Sequence, residues 1–233
     1  METPAFTPAM FLAVLPELGL LVLAGLVLFA DILLRRRRER DLGLLTFGGL
    51  LLVAGLTLVF SRPNLVPELV FGGMLRMDWA TYVFRLVFLI GAAISVLFTM
   101  DSDRRIRGGA FYLLVIVSTL GMNLMAASAD LIMLYLAIET TSIPLYVLSG
   151  ALVRDQKSTE AGIKYMLFGA FTSALMLYGF SLLYGFTGTT QMYALKDMFD
   201  TGAIPTAALV LVALLILIGF SFKISAVPFH FWA

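Results

Sequence analysis

Seven times along its 233 residues this chain runs for about twenty residues with almost no charged side chain. A helix of that length, rising 1.5 Å per residue, crosses roughly 30 Å of hydrocarbon. The blocks fall at about 11–34, 42–60, 79–100, 109–127, 130–152, 160–186 and 205–232. A closed barrel would need apolar and polar residues to alternate, which they do not do here. Helices, by contrast, satisfy their own backbone hydrogen bonds in lipid. The expectation is an all-α integral membrane protein, one transmembrane helical domain over 1–233 with about seven spans. Composition agrees, with 61% hydrophobic and 13% charged residues, where a soluble domain carries about a quarter charged. The first block has no basic stretch before it and carries its positive charges on the far side, so it reads as a retained helix rather than a signal peptide.

Loop charges give an orientation. Arg35, Arg36, Arg37, Arg38 and Arg40 follow span 1, Arg104, Arg105 and Arg107 follow span 3, and Arg154 and Lys157 follow span 5. The opposite loops carry Arg62, Arg76 and Lys196. By the positive-inside rule this bias of ten against three places the amino terminus outside, with spans 1, 3, 5 and 7 running inward. The run at 35–38 reads as a topology determinant that also touches anionic lipid. Pro63, Pro67, Gly72 and Gly73 mark one outer loop; Gly185, Gly188, Gly202 and Pro205 bracket the other. The net charge of +1 gives no reason to expect a nucleic-acid partner. With no cysteine and a single histidine, disulfides, thiolate zinc sites and cysteine-ligated iron–sulfur clusters are excluded, and no metal site is expected. No dinucleotide or P-loop fingerprint is present, so any redox or nucleotide chemistry belongs to another subunit.

An ionisable side chain near the membrane centre costs at least about 2.5–3.5 kcal/mol, so each one needs a partner, a water-filled cavity or a function. Glu139 lies roughly 14 Å from the outer end of span 5. Pro144 disturbs the carbonyl of Thr140 and leaves a polar notch that Thr140, Thr141 and Ser142 partly satisfy. Lys164 sits in the inner part of span 6, which follows span 5 through a short loop. Antiparallel packing of the two spans would bring Lys164 toward Glu139; the alternative is that Lys164 snorkels to the headgroups. Lys223 and His230 lie in the last span. Pro228 cannot donate to the carbonyl of Ile224, so this helix is expected to be broken near Lys223–Pro228, against an ordinary proline kink as the alternative. Arg85 lies about 10 Å into span 3, near enough to snorkel, and carries no assigned role. Glu17 and Asp31 fall near span ends and read as interface residues. A carboxylate and two lysines in one bundle suit proton movement, because burial and an approaching opposite charge push each group's proton affinity in opposing directions. The expected switch separates Lys164 from Glu139 and passes the proton toward Lys223.

Three segments carry a resemblance: YLAIETTSIPLY from Tyr135 to Tyr146, EAGIKYMLFGAF from Glu160 to Phe171, and GFSFKISAVPFHFW from Gly219 to Trp232. They resemble the antiporter-like membrane subunits of respiratory complex I, the NADH-quinone oxidoreductase. The Phe229-His230-Phe231-Trp232 ending is similar to the subunit N branch, where the related multisubunit sodium/proton antiporters read His-Thr-Trp. The resemblance implies a proton-translocating membrane-arm subunit in which Glu139, Lys164, Lys223 and His230 take part in proton transfer. It implies other membrane-arm subunits, the lipid bilayer and protons as partners, and a bacterial plasma (inner) membrane as location. NADH, FMN, iron–sulfur clusters and quinone would be used by other subunits of the parent complex, with no cofactor in this chain. The family is built from two inverted repeats, of which this chain would supply the first, so the sequence is expected to be truncated after Ala233. Rival readings are a cation/proton antiporter subunit, against which Phe231 argues, a membrane-arm scaffold with static charge pairs, and an ion channel, for which no filter is evident.

Overall fold

The computed structural model describes residues 8–34, 39–100, 108–200 and 204–230. The arginine runs at 35–38 and 104–107, together with Phe231 and Trp232, lie outside the described residues. Helices dominate in chain order: α1 (Pro8–Ala13), α2 (Leu15–Leu34), α3 (Glu39–Phe60), α4 (Trp79–Met100), α5 (Gly109–Ala127), α6 (Leu131–Ser149), α7 (Gln156–Thr187), α8 (Met192–Asp200) and α9 (Thr206–Lys223). Seven of them, α2 to α7 and α9, have the length and apolar composition to cross a membrane. Their outward faces are apolar to the tip of large side chains, as at Ile32, 75% exposed, and Phe98, 78% exposed. Surfaces of this kind are stable against lipid and not against water.

The spans sort into two packed groups. Leu20, Val27, Leu50, Leu89, Val96, Tyr112 and Ile116 form one core among α2, α3, α4 and α5. Ile138, Met176, Phe180 and Val212 form a second among α6, α7 and α9, with Met125 of α5 against it. The helix α5 therefore touches both, and its packing on α6 is close because Gly121 has no side chain: a Cβ there would meet the backbone of Thr141. Small residues at helix contacts are how membrane helices gain van der Waals packing where lipid removes the hydrophobic drive.

One end of the bundle carries structure that hydropathy did not foresee. Between α3 and α4, β1 (Glu68–Val70) pairs antiparallel with β2 (Leu75–Met77), and Gly72 and Gly73, both at positive φ, form the turn the Gly-Gly pair marks. Ala129 donates to Met74 O and Met192 to Ala129 O, while Thr190 donates its hydroxyl to the buried Asp130 carboxylate. Asp130 also caps α6 through Ile132 N and Met133 N. The hairpin, the α5–α6 junction and the start of α8 are thus one hydrogen-bonded lid. Arg76 of β2 accepts a role in the same lid, donating to the Tyr193 hydroxyl and pairing with Asp78 at 3.0 Å. Burial alone would raise the Asp78 carboxyl, but hydrogen bonds from Thr81 and the Arg76 charge hold it below the usual carboxylate range.

The first span differs from expectation at its start, and the last breaks within the stretch expected from Pro228. The first is split, with Val14 as a turn between α1 and α2. The last does not run on to 232: α9 stops at Lys223, and residues 224–230 form turns.

Candidate functional site

Glu139 sits eight residues into α6, about 12 Å from its first turn. The helix passes through Pro144 without a break. Thr140, Thr141 and Ser142 each donate to the carbonyl four residues back, and Ser118 of α5 donates to Thr141 O at 3.2 Å. These three hydroxyls serve the carbonyls of residues 136–138, a turn before the Thr140 carbonyl that Pro144 deprives of its helical donor, so they do not fill the notch in the expected way; Ser118 of α5 reaches the neighbouring Thr141 carbonyl instead.

Lys223 approaches the notch as the last residue of α9. The helix ends in a full Schellman arrangement: Ser225 takes the left-handed conformation at φ 55°, Ser225 N donates to Phe222 O, and Ala226 N donates to Ser221 O. A cation in the last turn also faces the negative end of the helix dipole. The ammonium lies 3.8 Å from Glu139 Oε1, with the two side chains 16% and 20% exposed, so the pair is shielded from solvent on most sides. Its hydrogen bonds go elsewhere, to Ser142 Oγ at 2.7 Å and Tyr146 Oη at 2.9 Å.

Tyr146 is held in turn. Its ring packs edge-on against Tyr165 of α7, centroids 4.6 Å apart, and Tyr165 lies beside the buried Phe222. Gly169 of α7 leaves the space the Tyr146 ring fills. Tyr146, Tyr165 and Phe222 are site residues that sequence reasoning passed over; the available signal was the spacing of Tyr146, seven residues from Glu139 and so on the same helix face.

Lys164 is not brought to Glu139. It pairs with Glu160 one turn earlier on α7 at 2.5 Å, and both side chains are more than half exposed. The physical reason is helical phase: α7 packs through Gly162 and Gly169, and Lys164, two residues on from Gly162, points about 200° away at 100° per residue. His230 is exposed at the end of the described chain. Two residues read from sequence as marginal form a second buried pair. Arg85 Nη2 lies 2.7 Å from Glu17 Oε1, their side chains 1% and 6% exposed, and Arg85 Nη1 donates to Ala13 O at 3.0 Å. Arg85 does not snorkel and Glu17 is no interface residue. Asp31 is half-buried, its side chain against Gly109 at the start of α5.

The family described as NADH:quinone oxidoreductase/Mrp antiporter, transmembrane, matches residues 128–233, which contain α6 to α9 and hence Glu139 and Lys223. Residues 128–233 are thus similar to that family over somewhat less than half of the chain. The NADH-quinone oxidoreductase subunit N 2 of Chloroherpeton thalassium is 40% identical over 157 residues, 64% of this chain and 30% of that relative. Among solved structures, a chain of respiratory complex I from Thermus thermophilus superposes with a TM-score of 0.73 at 30% identity, over 93% of this chain and 45% of that one. A chain of the membrane-bound sulfane sulfur reductase, an archaeal respiratory membrane complex, superposes at 0.77 with 24% identity, over 97% of this chain and 46% of that one, a likeness of fold. The chain thus matches about a third of the length of its curated relatives. The segment similar to that family carries the whole α6–α9 charge site, whereas the Glu17–Arg85 pair lies in helices before it.

Proposed function

We propose that this chain is a proton-translocating membrane-arm subunit of an NADH:quinone oxidoreductase, moving protons while other subunits carry the NADH, FMN, iron–sulfur and quinone chemistry. The observation that carries the reading is the Glu139–Lys223 pair, an acid and an amine shielded inside the bundle yet 3.8 Å apart. A tight pair would be a static staple. A loose one, in a polar notch beside a helix end, lies close to the balance between paired and separated states, so a small change in nearby charge shifts it. Lys164 and His230, both exposed, then serve as exchange points toward neighbouring membrane-arm subunits. The excess of arginine in the loops after spans 1 and 3 supports an amino terminus outside a bacterial inner membrane.

The test is proton pumping by the assembled complex in liposomes. Glu139→Gln and Lys223→Ala should each lower NADH-driven pumping by about 10²-fold, the low end of what a positioned proton-transfer group contributes, with the complex still assembled. Pumping at the parental rate in both variants would leave the pair a scaffold.

A further inference from the structure

Glu139, Ser142 and Tyr146 stand at i, i+3 and i+7 on α6, so they share one face over about 10 Å of helix. Lys223 reaches this face from the end of α9, and each of its contacts there can be read from hydrogen-bond chemistry. The Ser142 hydroxyl spends its proton on Ile138 O at 2.7 Å, which leaves its lone pairs to accept from Lys223 Nζ. Tyr146 accepts the second ammonium hydrogen bond, and its ring also lies 5.4 Å from the ammonium. Glu139 Oε1, though buried, has no hydrogen-bond partner among the described residues. A separation of 3.8 Å is too long for a hydrogen bond. The ammonium would need to move about 1 Å toward Glu139 to reach the roughly 2.8 Å of a charge-assisted contact.

Nothing rigid on the lysine side opposes that move. Its stem has rotatable bonds, and the ammonium is a point charge that needs no fixed plane. The receiving hydroxyls are the rigid partners. Ser142 is fixed by its bond to Ile138 O, and Tyr146 is fixed by Tyr165 and by the gap above Gly169. Two neutral oxygens can solvate an ammonium in place of water, while the carboxylate offers one charged contact. The lysine therefore has two seats of different charge a short displacement apart.

We infer that Ser142 and Tyr146 are positioning residues that form the second seat of a two-position lysine, receiving Lys223 when it leaves Glu139. The inference rests on the proton-translocating reading for its purpose. The two seats are a matter of geometry and can be tested separately. In the resting chain the hydroxyl seat is the occupied one, and Glu139 Oε1 is left without a hydrogen bond among the described residues. A charge arriving near Glu139 then has an unclamped carboxylate to act on. Ser142 and Tyr146 lie one and two turns from Glu139 toward the α6–α7 loop, so the lysine leaves Glu139 in that direction.

The deciding measurement is magic-angle-spinning NMR of the full chain in its assembled complex, with lysine labelled at Nζ and the Lys223 signal assigned by its loss in Lys223→Ala. The Lys223 nitrogen is expected to show through-space contacts both to Tyr146 Cζ and to Glu139 Cδ. In the Ser142→Ala/Tyr146→Phe double variant the Glu139 contact should strengthen alone, and pumping should fall several-fold. Ser142→Thr, which keeps a hydroxyl, should restore most of the pumping lost in Ser142→Ala. Contact to Glu139 only in the parent chain would overturn the two-seat arrangement, even if the double variant failed to fold. A double variant that pumps normally while Lys223→Ala does not would also overturn it, and would leave the functional reading intact. If Lys223→Ala and Glu139→Gln both pump normally, the functional reading falls and the two contacts still stand or fall by the spectrum.

Discussion

Arg85 and Lys223 are both cations among apolar helices, and the chain treats them oppositely. The guanidinium of Arg85 is gripped from several directions, by Glu17 at 2.7 Å, by Ala13 O at 3.0 Å and by the Met77 sulfur at 3.5 Å. A planar, always-charged fork suits such a fixed grip. Lys223, a point charge on a flexible stem, has one loose acid and two hydroxyls. The Glu17–Arg85 pair is read as a fastening between α2 and α4. Arg85→Ala should cost about 3–5 kcal/mol by leaving Glu17 charged and alone. The Glu17→Leu/Arg85→Leu double replacement should recover most of that loss, since an apolar pair of similar volume needs no partner. Thermal denaturation of the purified protein in detergent measures both. A double variant no better than the single one would give the pair a role beyond fastening.

The sequence pointed to Glu139 and Lys223 because a charged residue inside an apolar block is conspicuous, whatever its neighbours. It misjudged Arg85 because depth along a helix does not say which way a side chain points. It paired Glu139 with Lys164 because adjacent spans pack together, but adjacency fixes the helices and not their phase. The phase was readable from Gly162 and Gly169, whose lack of side chains marks the face α7 turns toward its neighbours. Tyr146 stayed hidden because an aromatic residue in a membrane helix is ordinarily packing.

At the scale of elements, the ends carry more information than the middles. The boundaries of α4 and α5 fall where hydropathy puts them, at Trp79–Met100 and Gly109–Ala127. The hairpin and α8 escaped because short elements near the surface leave little periodic signal. The end of α9 was expected from Pro228. In the structure the stop falls within the expected Lys223–Pro228 stretch, through the turn at Ser225, which holds a non-glycine residue at φ 55°. The left-handed conformation costs an L-residue roughly 1–2 kcal/mol. Ser225→Gly should therefore stabilise the protein by about 1 kcal/mol, seen as a higher melting temperature, with pumping unchanged because the Schellman hydrogen bonds are backbone bonds. Lower stability would show that the Ser225 side chain holds the turn by a contact of its own.

At the scale of the whole molecule, two helix groups share α5, and the charge site belongs to the second. Its direction in the membrane depends on orientation, because Ser142 and Tyr146 lie on the side of Glu139 nearer the α6–α7 loop. If the loops rich in arginine face the cytoplasm, the lysine moves inward when it leaves Glu139. The chain has no cysteine, so a single introduced thiol reports its own location. Asn64 lies in the exposed loop after α3, and Val153, 83% exposed, lies in the loop after α6, at the other end of the bundle. A membrane-impermeant maleimide added to spheroplasts should label Asn64→Cys and spare Val153→Cys, with both labelled after permeabilisation. The reverse pattern would turn the whole bundle over, making the hydroxyl seat the outward one. The two-seat geometry would be unchanged, but a proton carried by Lys223 would then be moving out as it left Glu139.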